Sequence, residues 1–465
     1  MRVLFVTPEC APLMKTGGLG DVSAGLPAAL RAHGHDVRVL LPAYAAIRIE
    51  AEERARVRLL DFDVRILEAG DFLLIDCPPL YDRLGTPYQD ADGRDFPDNA
   101  MRFAVLSRAA ALLGSDATPL DWQPEVVHCN DWPTALAPVY MHYGHSRATS
   151  VMTVHNLAFQ GLFDASLLER LELPPASFAV EGLEFYGKLS FLKGGLVYAN
   201  AIATVSPSYA REIQTEALGC GLDGVLRARR EVLRGIVNGI DTSEWNPATD
   251  ARITERYSWS GLERKAANKL ALQRRMRLEE DAQKPLLAAV CRFTHQKGSD
   301  LIAAAAEALI DLPAQLCLLG RGDREHERIL TGLADRHPGA IAVEVGFDED
   351  LAHLIEAGAD IFLMPSRFEP CGLNQMYSQR YGTPPVAHRT GGLIDTILDG
   401  ETGFLFEGAE SGALIAAVRR AVTVYRDPRR WRELQRRGMS RDFSWAGPAR
   451  QYADLYARHA RALAL

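Results

Sequence analysis

Cations and glycines recur at one kind of position in this sequence, and that placement suggests what the chain could bind. Lys15-Thr16-Gly17-Gly18-Leu19-Gly20 follows the apolar run Val3–Val6 and precedes a helical pattern. A glycine turn at a helix start offers backbone N–H groups with no Cβ in the way, and Lys15 adds an ammonium; together they suit a pyrophosphate. The loop fits neither standard phosphate fingerprint. Ser23 stands where G-x-G-x-x-G needs its third glycine, and no Walker A sequence occurs. On its own it reads equally well as an exposed turn.

Arg292 and Lys297 follow the run Leu286–Cys291, placing two cations at a strand's carboxyl end, although exposed cations are more often simply solvated. Pro365–Gln375 follows Ile361–Met364. It brings one acid, Glu369, and the amides of Cys371, Gly372 and Leu373 at the start of a helical pattern, where free N–H groups favour an anion. Glu369 is also what a helix's first turn prefers electrostatically. Arg389-Thr390-Gly391-Gly392-Leu393 repeats the order of strand, glycine turn and helix. Two polar pairs end strands of the first half: Asn130-Asp131 after Val126–His128, and His155-Asn156 after Val151–Val154.

No metal site is expected. The D-x-D pairs Asp61/Asp63, Asp90/Asp92 and Asp348/Asp350 read as surface or turn charges, and no C-x-x-C or H-E-x-x-H occurs. G-x-S-x-G and kinase signatures are missing as well.

The elements that would carry these residues form a repeating pattern. Val3–Val6 reads as a strand buried on both faces, and Val37–Leu41 as the next. Between them Asp21 is expected to cap a helix with Val22, Leu26, Ala29 and Leu30 on its apolar face, closed by Gly34. Further strands are expected at Val126–His128, Val151–Val154 and Ala201–Val205. From Pro285 onward Leu286–Cys291, Gln315–Leu319, Ile341–Val345, Ile361–Met364 and Pro385–Ala387 alternate with helices.

A chain of 465 residues exceeds one core. The fold class is therefore α/β, with two doubly wound Rossmann-like domains facing a deep cleft: 1–240, and 241–445 after a linker around Asn238–Trp259. The last helix, 446–465, is free to fold back on the first domain. Ligands of such sheets bind beyond the strands' carboxyl ends.

A net charge of −8 argues against a nucleic-acid partner. The longest apolar runs fall short of a membrane span, and seven scattered cysteines suit a reducing compartment. A cytoplasmic protein is expected.

Taken in order, these segments resemble the bacterial glycogen synthase and plant starch synthase family. The resemblance rests on Lys15–Val22 (K-T-G-G-L-G-D-V), Thr153–Gly161 (T-V-H-N-L-A-F-Q-G), Gly235–Asp241 (G-I-V-N-G-I-D), Ser366–Leu373 (S-R-F-E-P-C-G-L) and Arg389–Leu393 (R-T-G-G-L). It implies a GT-B glycosyltransferase. Such an enzyme moves glucose from ADP-glucose to the non-reducing end of glycogen or a maltooligosaccharide, with retention and with neither metal nor cofactor.

By that resemblance Lys15, Gly17, Gly18 and Asp21 meet the sugar nucleotide, and Arg292 and Lys297 hold its phosphates. Glu369, the Cys371–Leu373 amides, Thr390 and Gly391 sit at the donor. His155 and Asp131 line the sugar pocket with Tyr88 and Asn238 near it, and Phe347 falls where an aromatic ring packs on adenine. Many retaining relatives of this fold carry a second glutamate eight positions after the first, but here that position is Tyr377. A two-carboxylate mechanism is thereby weakened, and front-face attack with Glu369 orienting hydroxyls is expected. Another GT-B transferase or an epimerase would lack Lys15–Val22. A non-catalytic glucan-binding protein would have lost Lys15, Arg292, Lys297 or Glu369, and all four are intact.

Overall fold

The continuous apolar runs become the central strands of two parallel sheets. In the computed structural model, which describes residues 1–463, the chain forms two compact units, Met1–Gly239 together with the segment from Trp445 onward, and Ile240–Ser444.

In the first unit the sheet order is Leu233–Gly235, Ala201–Thr204, Thr149–Val154, Val126–Asn130, Arg2–Val6, Asp36–Pro42, Phe72–Asp76, Phe62–Ala69 and Glu52–Leu59. Arg2–Val6 pairs in parallel with Asp36–Pro42 on one side and Val126–Asn130 on the other. The connections diverge at that strand and leave a crevice beyond its carboxyl end. Residues 7–17 and Asp131 lie at that end of the sheet.

Charged alternation hides the edge hairpin Glu52–Leu59/Phe62–Ala69 from an apolar-run reading. Its antiparallel strands alternate buried and exposed positions, so they carry arginines and glutamates on the solvent face. The short sheet of Leu162–Asp164, Lys188–Ser190 and Glu184–Phe185 is likewise beyond pattern reading.

The second sheet, numbered along the chain from Leu286–Val290, has the order 3-2-1-4-5-6, every pairing parallel. Alternate residues serve opposite faces. Leu287, Ala289, Leu316, Leu318, Ile361 and Leu363 join one core. Leu286, Ala288, Cys317, Leu319, Phe362 and Met364 join the other. Both faces are thus covered, and the switch point lies between Leu286–Val290 and Ile361–Met364, the two strands that carry the Lys297 and Glu369 loops.

One expectation needs correction. The first helix spans Gly18–Ala32 with Gly17 at its N-cap, so Asp21 lies in the first turn rather than at the cap. Its carboxylate instead meets Lys15 at 2.7 Å, and a glycine cap leaves no side chain to mark the start. The segment after Asn238, expected as a linker, is packed against the second unit. Trp245 stacks between His353 and Tyr377, each centroid 3.9 Å away, and Asp250 accepts from Tyr381 Oη at 2.6 Å. The closing helix Ala446–Leu463 returns to the first unit: Trp445, Ala449, Tyr452, Leu455 and Tyr456 belong to its core.

Candidate active site

In the first unit the Lys15 loop is braced from beneath by Glu9, a residue that no sequence pattern singles out. Glu9 is buried, and one of its oxygens accepts from Thr16 N at 2.5 Å and Thr16 Oγ1 at 2.9 Å. Tyr88 Oη donates to its other oxygen at 3.3 Å. Burial raises the Glu9 carboxyl above its ordinary value, and these bonds offset only part of that cost. Tyr88 is fixed in turn. Asn99 Nδ2 donates to its carbonyl at 2.9 Å, and the buried Arg102 gives Nη1 to Pro87 O and Asn99 Oδ1, both at 2.7 Å. Glu9 thus links Tyr88 to the turn that holds Lys15, Gly17, Gly18 and Asp21, and Arg102 braces the segment that carries Tyr88.

Asp131 and His155 come from adjacent strand ends and meet. Asp131 Oδ1 accepts from the His155 backbone N–H at 2.7 Å and from Asn156 N at 3.4 Å. Asp131 has φ +55° and ψ −179°, a conformation that costs a side-chain-bearing residue about 1–3 kcal/mol and is typical of functional turns. Burial pushes its carboxyl up to about 7 and holds the His155 imidazole down to about 3, leaving the ring neutral. Asn238, in the segment after Leu233–Gly235, keeps a buried Oδ1 with no hydrogen-bond partner.

In the second unit Lys297 Nζ meets Glu369 Oε2 at 2.6 Å, and Ser366 Oγ donates to the same oxygen at 2.9 Å. Glycine makes this approach possible. Gly298 has φ +70°, and a Cβ there would overlap the Pro365 carbonyl. Gly391, with φ +46°, lies against the Glu369 carbonyl in the same way, and Gly392 N donates to that carbonyl at 3.0 Å. The glycine pair after Thr390 is therefore a seat for the Glu369–Cys371 backbone.

Asn374 Nδ2 donates to Val290 O at 2.6 Å, holding this turn to the neighbouring strand's end. The helix itself begins only at Asn374, so Cys371, Gly372 and Leu373 form the turn before it. Arg292 is exposed and makes no ion pair among the described residues. Phe347 projects from the end of Ile341–Val345 with 86% of its surface exposed, beside a pocket of about 540 Å³ that Arg252, Gly346 and Asp348 also line.

The D-x-D aspartates have ordinary duties. Asp63 pairs with Arg58 across the edge hairpin, Asp90 Oδ1 accepts from Asp92 N and Arg94 N, and Asp348 caps Glu349–Gly358 while Asp350 meets Arg252. Among the described residues, Glu244, Glu349 and His353 are the one group of three whose ligand-type atoms all lie within 4.8 Å of one another.

Comparison with known proteins places this arrangement. Residues 2–228 match the family model "Starch synthase catalytic domain" and residues 273–437 match "Glycosyl transferases group 1". Glycogen synthase of Nitrosomonas eutropha is 52% identical over 481 residues, covering 98% of this chain and 96% of that protein. This chain belongs to the glycogen and starch synthase family.

Glycogen synthase of Aromatoleum aromaticum is 53% identical, with 98% of this chain and 96% of that one covered. Among solved structures, the catalytic domain of starch synthase IV from Arabidopsis thaliana, bound to ADP and acarbose, aligns over 99% of each chain with TM-score 0.87 and 32% identity. Sucrose-phosphate synthase from Thermosynechococcus elongatus shares the fold at TM-score 0.60 and 19% identity, over 99% of each chain. As a glycogen and starch synthase family member the protein is a glycosyltransferase of GT-B fold. Tyr377 is a buried stacking partner of Trp245. No helix among the described residues is long and apolar enough to cross a membrane.

Proposed function

We propose that the protein is a glycogen synthase that transfers glucose from ADP-glucose to the non-reducing end of an α-1,4-glucan with retention of configuration. The observation that carries this reading is the full-length likeness to proteins named glycogen synthase, and the chain carries the expected Lys15, Asp131, His155, Arg292, Lys297 and Glu369.

The chemistry follows from charge. As the bond from glucosyl C1 to the diphosphate breaks, the leaving ADP gains negative charge and the ring becomes oxocarbenium-like. Fixed cations and amides aimed at the leaving group stabilise that separation without reorganising. Arg292, Lys297 and the turn amides at Gly372 and Leu373 take this role. The acceptor's 4-hydroxyl oxygen attacks C1 on the face ADP leaves, and its proton passes to the departing phosphate oxygen. The products are ADP and a glucan longer by one residue. Glu369, already committed to Lys297 and Ser366, orients sugar hydroxyls. Asp131, His155 and Asn238 serve the glucosyl group, and Phe347 stacks on the adenine.

Purified protein given a glycogen primer should incorporate label from ADP-[14C]glucose faster than from UDP-[14C]glucose, in linkages open to an α-1,4-specific amylase. Failure of both donors to label the primer would overturn the reading.

A further inference from the structure

Asn130 ends the strand Val126–Asn130 and is wholly buried. Its Nδ2 donates to the Val6 carbonyl on the neighbouring strand at 2.9 Å. A carbonyl can only accept, so the amide NH₂ must face Val6 and the amide oxygen must face away. That oxygen lies 2.9 Å from His155 Nε2. An amide oxygen also only accepts, so Nε2 carries the hydrogen. The orientation that is commonly ambiguous for Asn and His side chains is thus settled by one backbone carbonyl.

A neutral imidazole has a single N–H, so with Nε2 protonated, Nδ1 keeps a bare lone pair. Desolvation favours that neutral form, holding the imidazole down to about 3. Nδ1 makes no hydrogen bond among the described residues, and the ring is only partly buried. The backbone N–H of the same residue is held by Asp131. His155 is therefore fixed at both ends and presents one acceptor.

From this geometry we infer that Asn130 is a positioning residue: it selects the Nε2–H tautomer of His155, so that Nδ1 accepts a hydrogen bond from a hydroxyl of the donor's glucosyl group. The inference rests on the proposed place of His155 in the sugar pocket. The opposite tautomer would present an N–H with the wrong polarity for a donating hydroxyl. The arrangement favours a sugar bearing that hydroxyl over its deoxy analogue, because a site built to bond a hydroxyl leaves a polar atom unpaired when it is missing.

A double-mutant cycle on kcat/KM for ADP-glucose tests it, using wild type, Asn130→Ala, His155→Ala and the double variant. Residues acting through one interaction are non-additive. Asn130→Ala alone should lower kcat/KM by about tenfold or more, and by less than about twofold when added to His155→Ala. An equal loss in both backgrounds, or no loss in either, would overturn the role of Asn130. Wild-type kcat/KM in His155→Ala would instead overturn the pocket reading beneath it. A second measurement needs no Asn130 variant: ¹⁵N spectra of histidine-labelled wild type, with the His155 signals assigned by their loss in His155→Ala. Protonated Nε2 with unprotonated Nδ1 is the expected signature, and the reverse assignment overturns the inference.

Discussion

Lys297 and Glu369 neutralise each other at 2.6 Å with Glu369 almost fully buried, which constrains what either can do before a donor arrives. Removing one partner of a buried pair leaves the other uncompensated, a cost of about 3–5 kcal/mol. Lys297→Ala should therefore lose roughly 10²–10³ in turnover and melt early. Adding Glu369→Gln should restore the melting temperature but not turnover. Arg292, exposed and without an ion pair, should show the same turnover loss with no change in melting. Near-wild-type turnover in either single variant would remove that residue from the phosphate clamp. Asp131 makes a pH prediction. Its folded carboxyl is raised to about 7 from an ordinary value of about 3.9. Its contribution to stability is therefore complete below the unfolded value and is lost as pH rises through the folded one. The melting advantage of Asp131→Asn over wild type should grow from pH 5 to pH 8. If the ionised form serves the positive sugar ring, wild-type kcat should rise through about pH 7 and the variant should lose that rise. A melting difference that stays constant with pH would mean that Asp131 ionises normally.

At the scale of elements, the loops that follow strands bear the chemistry and the strands were the legible part. Ile361–Met364 coincides with its apolar run because a strand covered on both faces must be apolar throughout. The edge hairpin escaped because one face meets water. Glu9 escaped because a single buried acid in a loop has no periodicity; only its bonds to Thr16 and Tyr88 show its place. Asp21 was noticed but given the wrong task, since the cap at Gly17 is invisible to a rule that looks for oxygen-bearing side chains. Phe347 offers the clearest test of a strand-end loop. Asp348 already caps the following helix through Leu351 N at 2.9 Å, so that helix does not need the ring as an anchor, and the ring is exposed. Stacking on a base contributes about 1–3 kcal/mol. Phe347→Ala should raise KM for ADP-glucose about tenfold or more with little change in melting temperature. Early melting with an unchanged donor KM would make Phe347 a packing residue.

At the scale of the whole molecule, the chain passes between its units twice, at Gly239–Ile240 and at Ser444–Trp445, because its last helix returns to the unit built first. The first unit is thus completed by a segment more than 200 residues further along the chain than the rest of it. Trp445, Tyr452, Leu455 and Tyr456 are buried in its core, and Tyr456 Oη bonds the buried His128 Nδ1 at 2.7 Å. His128 stands two residues before Asn130 on the same strand, and its Nε2 meets Thr153 Oγ1 at 2.6 Å, so the helix supports the strands that present Asp131 and His155. Each large side chain buried contributes about 1.5–3 kcal/mol, hence on the order of 6–12 kcal/mol for the four. That rivals the roughly 5–15 kcal/mol net stability of a domain. A chain ending at Ser444 should therefore fail in its first unit while the second, whose cores contain none of these residues, stays folded. Limited proteolysis should leave a resistant fragment from about Ile240 to Ser444 and digest the rest, and glucosyl transfer should be absent. Tyr456→Phe, losing only the bond to His128, should cost about 1 kcal/mol and keep activity. A truncated protein that resists proteolysis throughout and still transfers glucose would show that the closing helix merely covers a unit already stable without it.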